Sequence, residues 1–367
     1  MKLIINTVNL QIGGAFQRSV SFLNELKTFG EDDYYVFYNE NIKKQIKIEE
    51  FPENFKFYYF ENSPASLKFR KKIVSQFNKL ESEINPDTVF SFVGPAYWRP
   101  KKPHLVGFGV PHIVYDDYKY VKQYSLKTKL EMVYKKFWTK KEADYYVVQT
   151  EDVRKRLAQR LKISVSKVFL VSNGFGEQYK NVEVLTGNHG DTKKLLMIST
   201  YRPSKNFEII NEIIPYLKNQ KFKYEFHITI KDEDYKRVFD LDNKEVVNHG
   251  HVFAKDCPAL YNECDAMFLP SFLECFSASY PEAMKMRKPI LTSDLSFAST
   301  VCGDAALYFN NQNPKEIAQK IIDLFNDENA VQELIAKGDE RLKIFDTSRM
   351  QAEKYIDICK KITKNDI

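Results

Sequence analysis

Short apolar runs that alternate with longer stretches of helical periodicity constrain this chain most. Strand-like runs are Leu3–Ile5, Tyr34–Phe37, Thr88–Ser91, His104–Val106, Tyr145–Val148 and Val168–Val171, then Leu195–Ile198, Phe226–Ile230, Val246–Val247, Ala266–Leu269 and Pro289–Leu291. Helical patterns fall between them, as in Ala15–Lys27. Parallel strands need crossover helices, so this order predicts doubly wound α/β sheets. Between the two series the chain loosens: Gly174, Gly176, Gly187 and Gly190 fall within seventeen residues, among Asn and Asp. Such a stretch reads as a domain boundary, placing one domain over residues 1–175 and a second over 176–346. At 367 residues with 43% apolar content, the chain is long enough for two cores and too apolar for disorder.

Several classes are excluded early. No apolar run approaches the roughly twenty residues of a membrane span, and Met1–Val8 reads as a first strand instead of a signal peptide, so a cytoplasmic protein is expected. The five cysteines all lie between Cys257 and Cys359, an odd number without C-x-x-C spacing, so no disulfide framework is expected. His249, His251, Cys257 and Cys264 fit no standard zinc spacing, and no metal is expected.

Charge is uneven. Residues 1–175 hold 29 Lys and Arg against 19 Asp and Glu, whereas 176–367 hold 26 against 30. Much of the excess lies in Lys119–Lys141, where eight lysines face only Glu131, and Leu126, Leu130, Val133, Phe137 and Trp138 recur at helical spacing. Such a helix suits an anionic membrane surface, with Trp138 beside its lysines; the same pattern also suits a surface helix packing its aromatic stripe inward. Nucleic acid is not expected as a partner, because the aromatics are spread through apparent core elements.

Three loops carry candidate chemistry. After the 266–269 run comes Pro270-Ser-Phe-Leu-Glu274-Cys-Phe-Ser-Ala-Ser279-Tyr-Pro281-Glu282. Pro281 suits the first turn of a helix, which leaves Glu274 in a strand-end loop and Glu282 on the helix. Loops at the carboxyl ends of parallel strands are where open α/β sheets bind ligands. Ser279-x-x-Glu282 also fits a capping box, with Glu282 bonded back to the backbone. Arg202 and Lys205 stand three apart between the 195–198 run and a helix, where two cations and free N–H groups suit a diphosphate. Gly13-Gly14 precedes the first helix and lets the backbone approach a ligand, although tight turns use this pair too. The G-x-G-x-x-G of a dinucleotide oxidoreductase is missing there.

From Gly250-His-Val252 through Glu274, Phe276, Glu282 and Pro289 to Gly303-Asp-Ala-Ala-Leu-Tyr308, the order and spacing resemble the sugar-nucleotide half of the family 4 glycosyltransferases. That resemblance implies the GT-B fold: two Rossmann-like domains around an interdomain cleft, with the final helix, about 347–367, crossing back onto the first. It implies a retaining, metal-independent transferase whose donor is a UDP-sugar or GDP-sugar and which holds no separate cofactor. By the same resemblance Glu274 contacts the transferred sugar and Glu282 the ribose hydroxyls. Arg202 and Lys205 hold the diphosphate, and Val252, Cys275, Phe276 and Ser277 line the donor site together with Gly13 and Gly14. His112, in Gly109-Val-Pro-His-Ile113, would approach the reacting sugar or acceptor; a structural histidine is the other reading. Asn173-Gly174 resembles the family's hinge turn, or is a plain turn.

The sequence departs from the family pattern in two places. Ser277 stands where many members carry Gly, which bears on donor choice, and Arg287-Lys288 replaces a Gly before the next strand. A glycan or lipid-linked acceptor, in surface polysaccharide synthesis at the inner membrane face, is the expected partner. The alternatives are a noncatalytic sugar-nucleotide-binding protein of the same fold and a phosphorylase or epimerase of GT-B architecture.

Overall fold

The computed structural model describes residues 1–11, 13–185, 190–218, 220–240 and 242–364. The chain divides into two compact units, Met1–Asn173 with Asp346–Ile367, and Gly174–Phe345. Gly187, one of the four glycines of the loose stretch, lies outside the described residues.

The first unit is a seven-stranded parallel sheet of β1 (Lys2–Asn6), β2 (Asp33–Tyr38), β3 (Phe55–Tyr59), β4 (Thr88–Ser91), β5 (His104–Gly107), β6 (Tyr145–Val148) and β7 (Val168–Leu170). Its order is β3-β2-β1-β4-β5-β6-β7, so the winding direction reverses between β1 and β4. Both faces are covered, which is why strands such as Leu3-Ile4-Ile5 are apolar throughout and do not alternate. Leu3 and Ile5 belong to one core with Phe22, Leu26 and Val36, while Ile4 joins the opposite core with Phe37, Phe77 and Trp98. Edge strand β3, Phe55-Lys-Phe-Tyr-Tyr59, is absent from the sequence-derived strands, because a half-exposed run beside a loop carries a weaker signal than a buried one.

The last helix, Ser348–Lys364, belongs to the first unit. Ala352, Tyr355, Ile356, Cys359 and Ile362 recur at helical spacing and fill the same core as β1. Tyr355 meets Phe22, Phe90 and Phe92 at centroid separations of 5.5, 5.2 and 5.8 Å. At about 1.5–3 kcal/mol for each large apolar side chain buried, this face is what keeps the helix in place. Lys360 adds an ion pair to Asp32 at 3.1 Å. Met350, about 140° around the helix from Tyr355, is exposed.

The second unit is a six-stranded parallel sheet of β8 (Thr192–Met197), β9 (Lys223–Ile228), β10 (Val246–Asn248), β11 (Ala266–Leu269), β12 (Ile290–Ser293) and β13 (Leu307–Phe309). Its order, β10-β9-β8-β11-β12-β13, reverses between β8 and β11, which pair through Ala266↔Leu195 and Met267↔Leu196. Open α/β sheets leave a crevice at such a reversal, outside the carboxyl ends of the two strands.

Candidate functional site

The loops that follow β8 and β11 stand at this reversal point, and they are the two loops that carry Arg202, Lys205 and Glu274. Lys205 Nζ donates to Glu274 Oε1, with the two side chains only 15% and 12% exposed. Ser271 Oγ donates to the same carboxylate oxygen at 3.2 Å. Arg202 begins the short turn Pro203–Lys205, is exposed, and pairs with no carboxylate among the described residues. A cation–carboxylate pair and a second, unneutralised cation therefore share one sheet end.

A frame of small polar residues holds the loops. Phe272 N donates to Ser204 O at 2.8 Å and ties the two loops directly. Asn206, buried and in the left-handed conformation at φ 59°, donates from Nδ2 to Pro270 O at 3.2 Å and Asn311 O at 2.9 Å. Asn311 Nδ2 and Ser293 Oγ both donate to Ser271 O, at 2.9 and 2.7 Å. Asn tolerates that backbone region better than other non-glycine residues, so Asn206 serves as both turn former and cross-link. The sequence reading did not single out Asn206 or Asn311. An Asn directly after the Arg-x-x-Lys spacing was the available signal for the first.

Glu282 lies in the helix Ser279–Lys285, with Pro281 in its first turn. Its capping-box reading does not hold: Ala278 is the cap residue and Ser279 Oγ turns to Ile198 O at 3.4 Å. Burial pushes the Glu282 carboxyl up to about 7, partly opposed by the nearby Tyr179 hydroxyl. Tyr179 Oη is itself buried, and among the described residues no partner meets it at hydrogen-bond geometry. Cys257 and Tyr261 feel the same carboxylate, and burial is the main cause of their raised titration. Cys275 and Ser277 are buried, Phe276 is half-buried 6.5 Å from Phe345, and Val252 is half-buried beyond β10. All of these belong to the second unit. Among the described residues, no group of three or more His, Cys, Asp or Glu is placed to hold a metal.

Gly13, Gly14 and His112 belong to the first unit, at the carboxyl ends of β1 and β5. Gly13 caps the helix Gly14–Leu26 at φ 97°, a conformation that favours glycine, and a Cβ at either position would meet nothing within 4 Å. His112 sits in the helix Pro111–Val114. Burial, helped by Lys135, holds its imidazole down at about 4, so it is neutral near pH 7. Its Nε2 is buried without a partner among the described residues. The ring lines a 420 Å³ cavity with Val121, Lys122, Lys129, Met132 and Lys136, a grouping the sequence reading did not foresee.

Residues 192–327 match the family model described as "Glycosyl transferases group 1". An uncharacterized glycosyltransferase of Methanocaldococcus jannaschii is 22% identical over 209 residues, 55% of this chain, and the match spans only 56% of that relative's length. Among solved structures, a glycosyltransferase from Rickettsia africae superposes with a TM-score of 0.74 at 15% identity, covering 99% of both chains. Sucrose-phosphate synthase from Thermosynechococcus elongatus gives 0.75 at 13%, again over 99% of each. Anabaena HepE in complex with UDP and glucose gives 0.71 at 14%, over 97% of this chain and 99% of that one. The fold is that of the GT-B glycosyltransferases, and residues 192–327, within the second unit, are similar to the group 1 glycosyl transferases.

Proposed function

We propose that the protein is a retaining glycosyltransferase that moves a sugar from a nucleoside-diphosphate sugar to a glycan or lipid-linked acceptor, in surface polysaccharide synthesis at a membrane face. The observation that carries this reading is the Lys205–Glu274 pair with Arg202 beside it, at the reversal point of a sheet whose residues match the glycosyltransferase family. Breaking the anomeric C–O bond leaves negative charge on the diphosphate and positive character on the sugar ring. Fixed cations at the departing end lower that barrier, because they strengthen their interaction as charge develops.

In this reading Arg202 and Lys205 hold the diphosphate in the role a divalent metal plays elsewhere, and Glu274 holds the sugar hydroxyls. Glu282 accepts from the ribose hydroxyls. The acceptor hydroxyl attacks the anomeric carbon from the side the diphosphate leaves and passes its proton to a departing phosphate oxygen. That preserves the anomeric configuration and needs no dedicated base. His112, neutral near pH 7, hydrogen-bonds the acceptor or the transferred sugar from its cavity.

The test is a panel of UDP-, GDP- and ADP-sugars measured for protection against thermal unfolding, followed by turnover of the protecting donor. A ligand bound only by the native state raises the melting temperature. Protection by one class of donor, and a product with the donor's anomeric configuration in its NMR spectrum, are expected. Absence of protection by every activated sugar overturns the reading.

A further inference from the structure

The helix Leu126–Glu142 carries an apolar stripe that faces away from the first unit. At 100° per residue, Leu126, Leu130, Val133 and Phe137 fall within about 60° of one another. They are 76%, 63%, 65% and 55% exposed. On the same projection Lys129, Lys136 and Lys140 flank one side of the stripe and Lys127 and Lys141 the other, while Glu131 lies toward the opposite face.

The outward stripe does not reflect a loosely held helix. Trp138, which recurs with these four at helical spacing in the sequence, turns inward: with Tyr97 and Tyr134 it surrounds the Arg70 guanidinium, at 5.4, 4.2 and 5.7 Å from the three ring centroids. Buried Glu142 accepts from Ala96 N and Tyr97 N, each at 2.8 Å, and Tyr146 Oη donates to Thr139 O at 2.6 Å. The inner face is anchored along its second half, and the apolar face remains in water.

We propose that this face docks on an anionic lipid bilayer, with the four apolar side chains entering the leaflet and the flanking lysines meeting lipid phosphates. Apolar residues between two rows of cations are what an interfacial helix needs, since each basic residue near an anionic surface and each buried methylene add to the same binding. A second copy of this chain fits worse, because the face set against itself would oppose lysine with lysine. Two cavities open beside the helix. The His112 cavity shares Val133, Lys129 and Lys136 with it, its Asp116 pairing with Arg160 at 2.7 Å, and a second, of 460 Å³, gathers Lys140, Lys141, Lys167 and Arg99 at its carboxyl end, where Asp144 pairs with Arg99. Both suit anionic headgroups reaching in from a docked leaflet. That an acceptor held in the membrane thereby arrives at His112 rests on the transferase reading; the docking itself does not.

The test is flotation of the full chain with vesicles of phosphatidylcholine alone and of phosphatidylcholine with phosphatidylglycerol. Binding to the anionic vesicles, weakened by salt, is expected. Leu130→Glu with Phe137→Glu abolishes it while leaving the melting temperature and the nucleotide-sugar protection unchanged. Lys140→Gln with Lys141→Gln, which keeps the stripe, lowers partitioning about tenfold or more. No binding, equal binding to both vesicle types, equal binding by the apolar variant, or a dimer in solution that this variant dissolves would each overturn the proposal. Donor protection without vesicle binding removes the docking and leaves the transferase reading standing; vesicle binding without donor protection does the reverse.

Discussion

Lys205 and Glu274 neutralise each other across the ends of two adjacent parallel strands that are 69 residues apart in sequence. The pair is mostly shielded from water, so each side chain occupies the other's binding capacity while no ligand is present. In the proposed transferase a donor diphosphate would draw Lys205 away from Glu274 and free the carboxylate to turn to the sugar. Glu274→Gln therefore tightens binding of a free nucleoside diphosphate, because it releases the lysine, while turnover falls about 10²–10³-fold as with other lost transition-state contacts. Lys205→Met weakens both. Calorimetric titration with the nucleoside diphosphate beside initial-rate measurements checks the opposite signs for the first variant; weaker nucleotide binding by Glu274→Gln would show that the pair is structural.

The Glu282 carboxyl, raised to about 7 by burial, makes stability depend on pH. The folded form holds the proton more tightly than the unfolded chain, so between the ordinary value of 4.5 and about 7 the native state binds more protons and stability declines as pH rises. Glu282→Gln removes this contribution and leaves that of Glu142, whose carboxyl burial pushes up to about 8. A bound ribose that donates to the carboxylate lowers its pKa, so donor binding at pH 6 releases protons. Calorimetry in two buffers of different ionisation enthalpy measures that release, and an unchanged proton count in the variant would clear Glu282 of the role.

The buried strands were legible in the sequence because both faces of each parallel sheet are covered, which turns Leu3–Ile5, Tyr145–Val148 and Ala266–Leu269 into short unbroken apolar runs. Edge strand β3 is half-exposed and gives no such run. The Arg202, Lys205 and Glu274 loops were legible as strand-end loops, but their meeting depends on β8 lying beside β11, and strand order is long-range information that spacing does not hold. The same limit applies to Asn206, whose partners Pro270 and Asn311 lie 64 and 105 residues away. For the helix Leu126–Glu142, periodicity revealed a stripe but not its direction. Trp138 and Phe137 are neighbours in sequence, and only the cage around Arg70 decides that one turns in and the other out.

Gly13 and Gly14 look equivalent in sequence and differ in backbone. Gly13 at φ 97° occupies a region that costs an L-residue about 1–3 kcal/mol, although open space surrounds its missing side chain. Gly14 is the first residue of a helix, with equally open space and no such φ. Gly13→Ala is expected to lower stability by about 1–2 kcal/mol, whereas Gly14→Ala is neutral or stabilising by about 0.5–1 kcal/mol. Denaturant titration of both variants measures the contrast, and equal effects would contradict the backbone assignment.

Asn206 is the residue through which the Lys205 turn is fixed to the rest of the sheet end. Replacement by Ala leaves Pro270 O and Asn311 O without their donor in a buried place and puts a non-polar residue at φ 59°. Each buried polar group left unpaired costs about 1–3 kcal/mol, two carbonyls lose their donor, and the left-handed conformation adds about 1 kcal/mol, so Asn206→Ala should destabilise by at least about 3 kcal/mol. Asn206→Gly keeps the backbone freedom and loses only the side-chain bonds, so it should recover part of that loss. Since Lys205 precedes Asn206 directly, both variants should also weaken nucleoside-diphosphate binding, with Gly the milder. A variant pair of equal stability would place the cost wholly in the hydrogen bonds, and full stability with intact nucleotide binding in Asn206→Ala would remove Asn206 from the framework of the site.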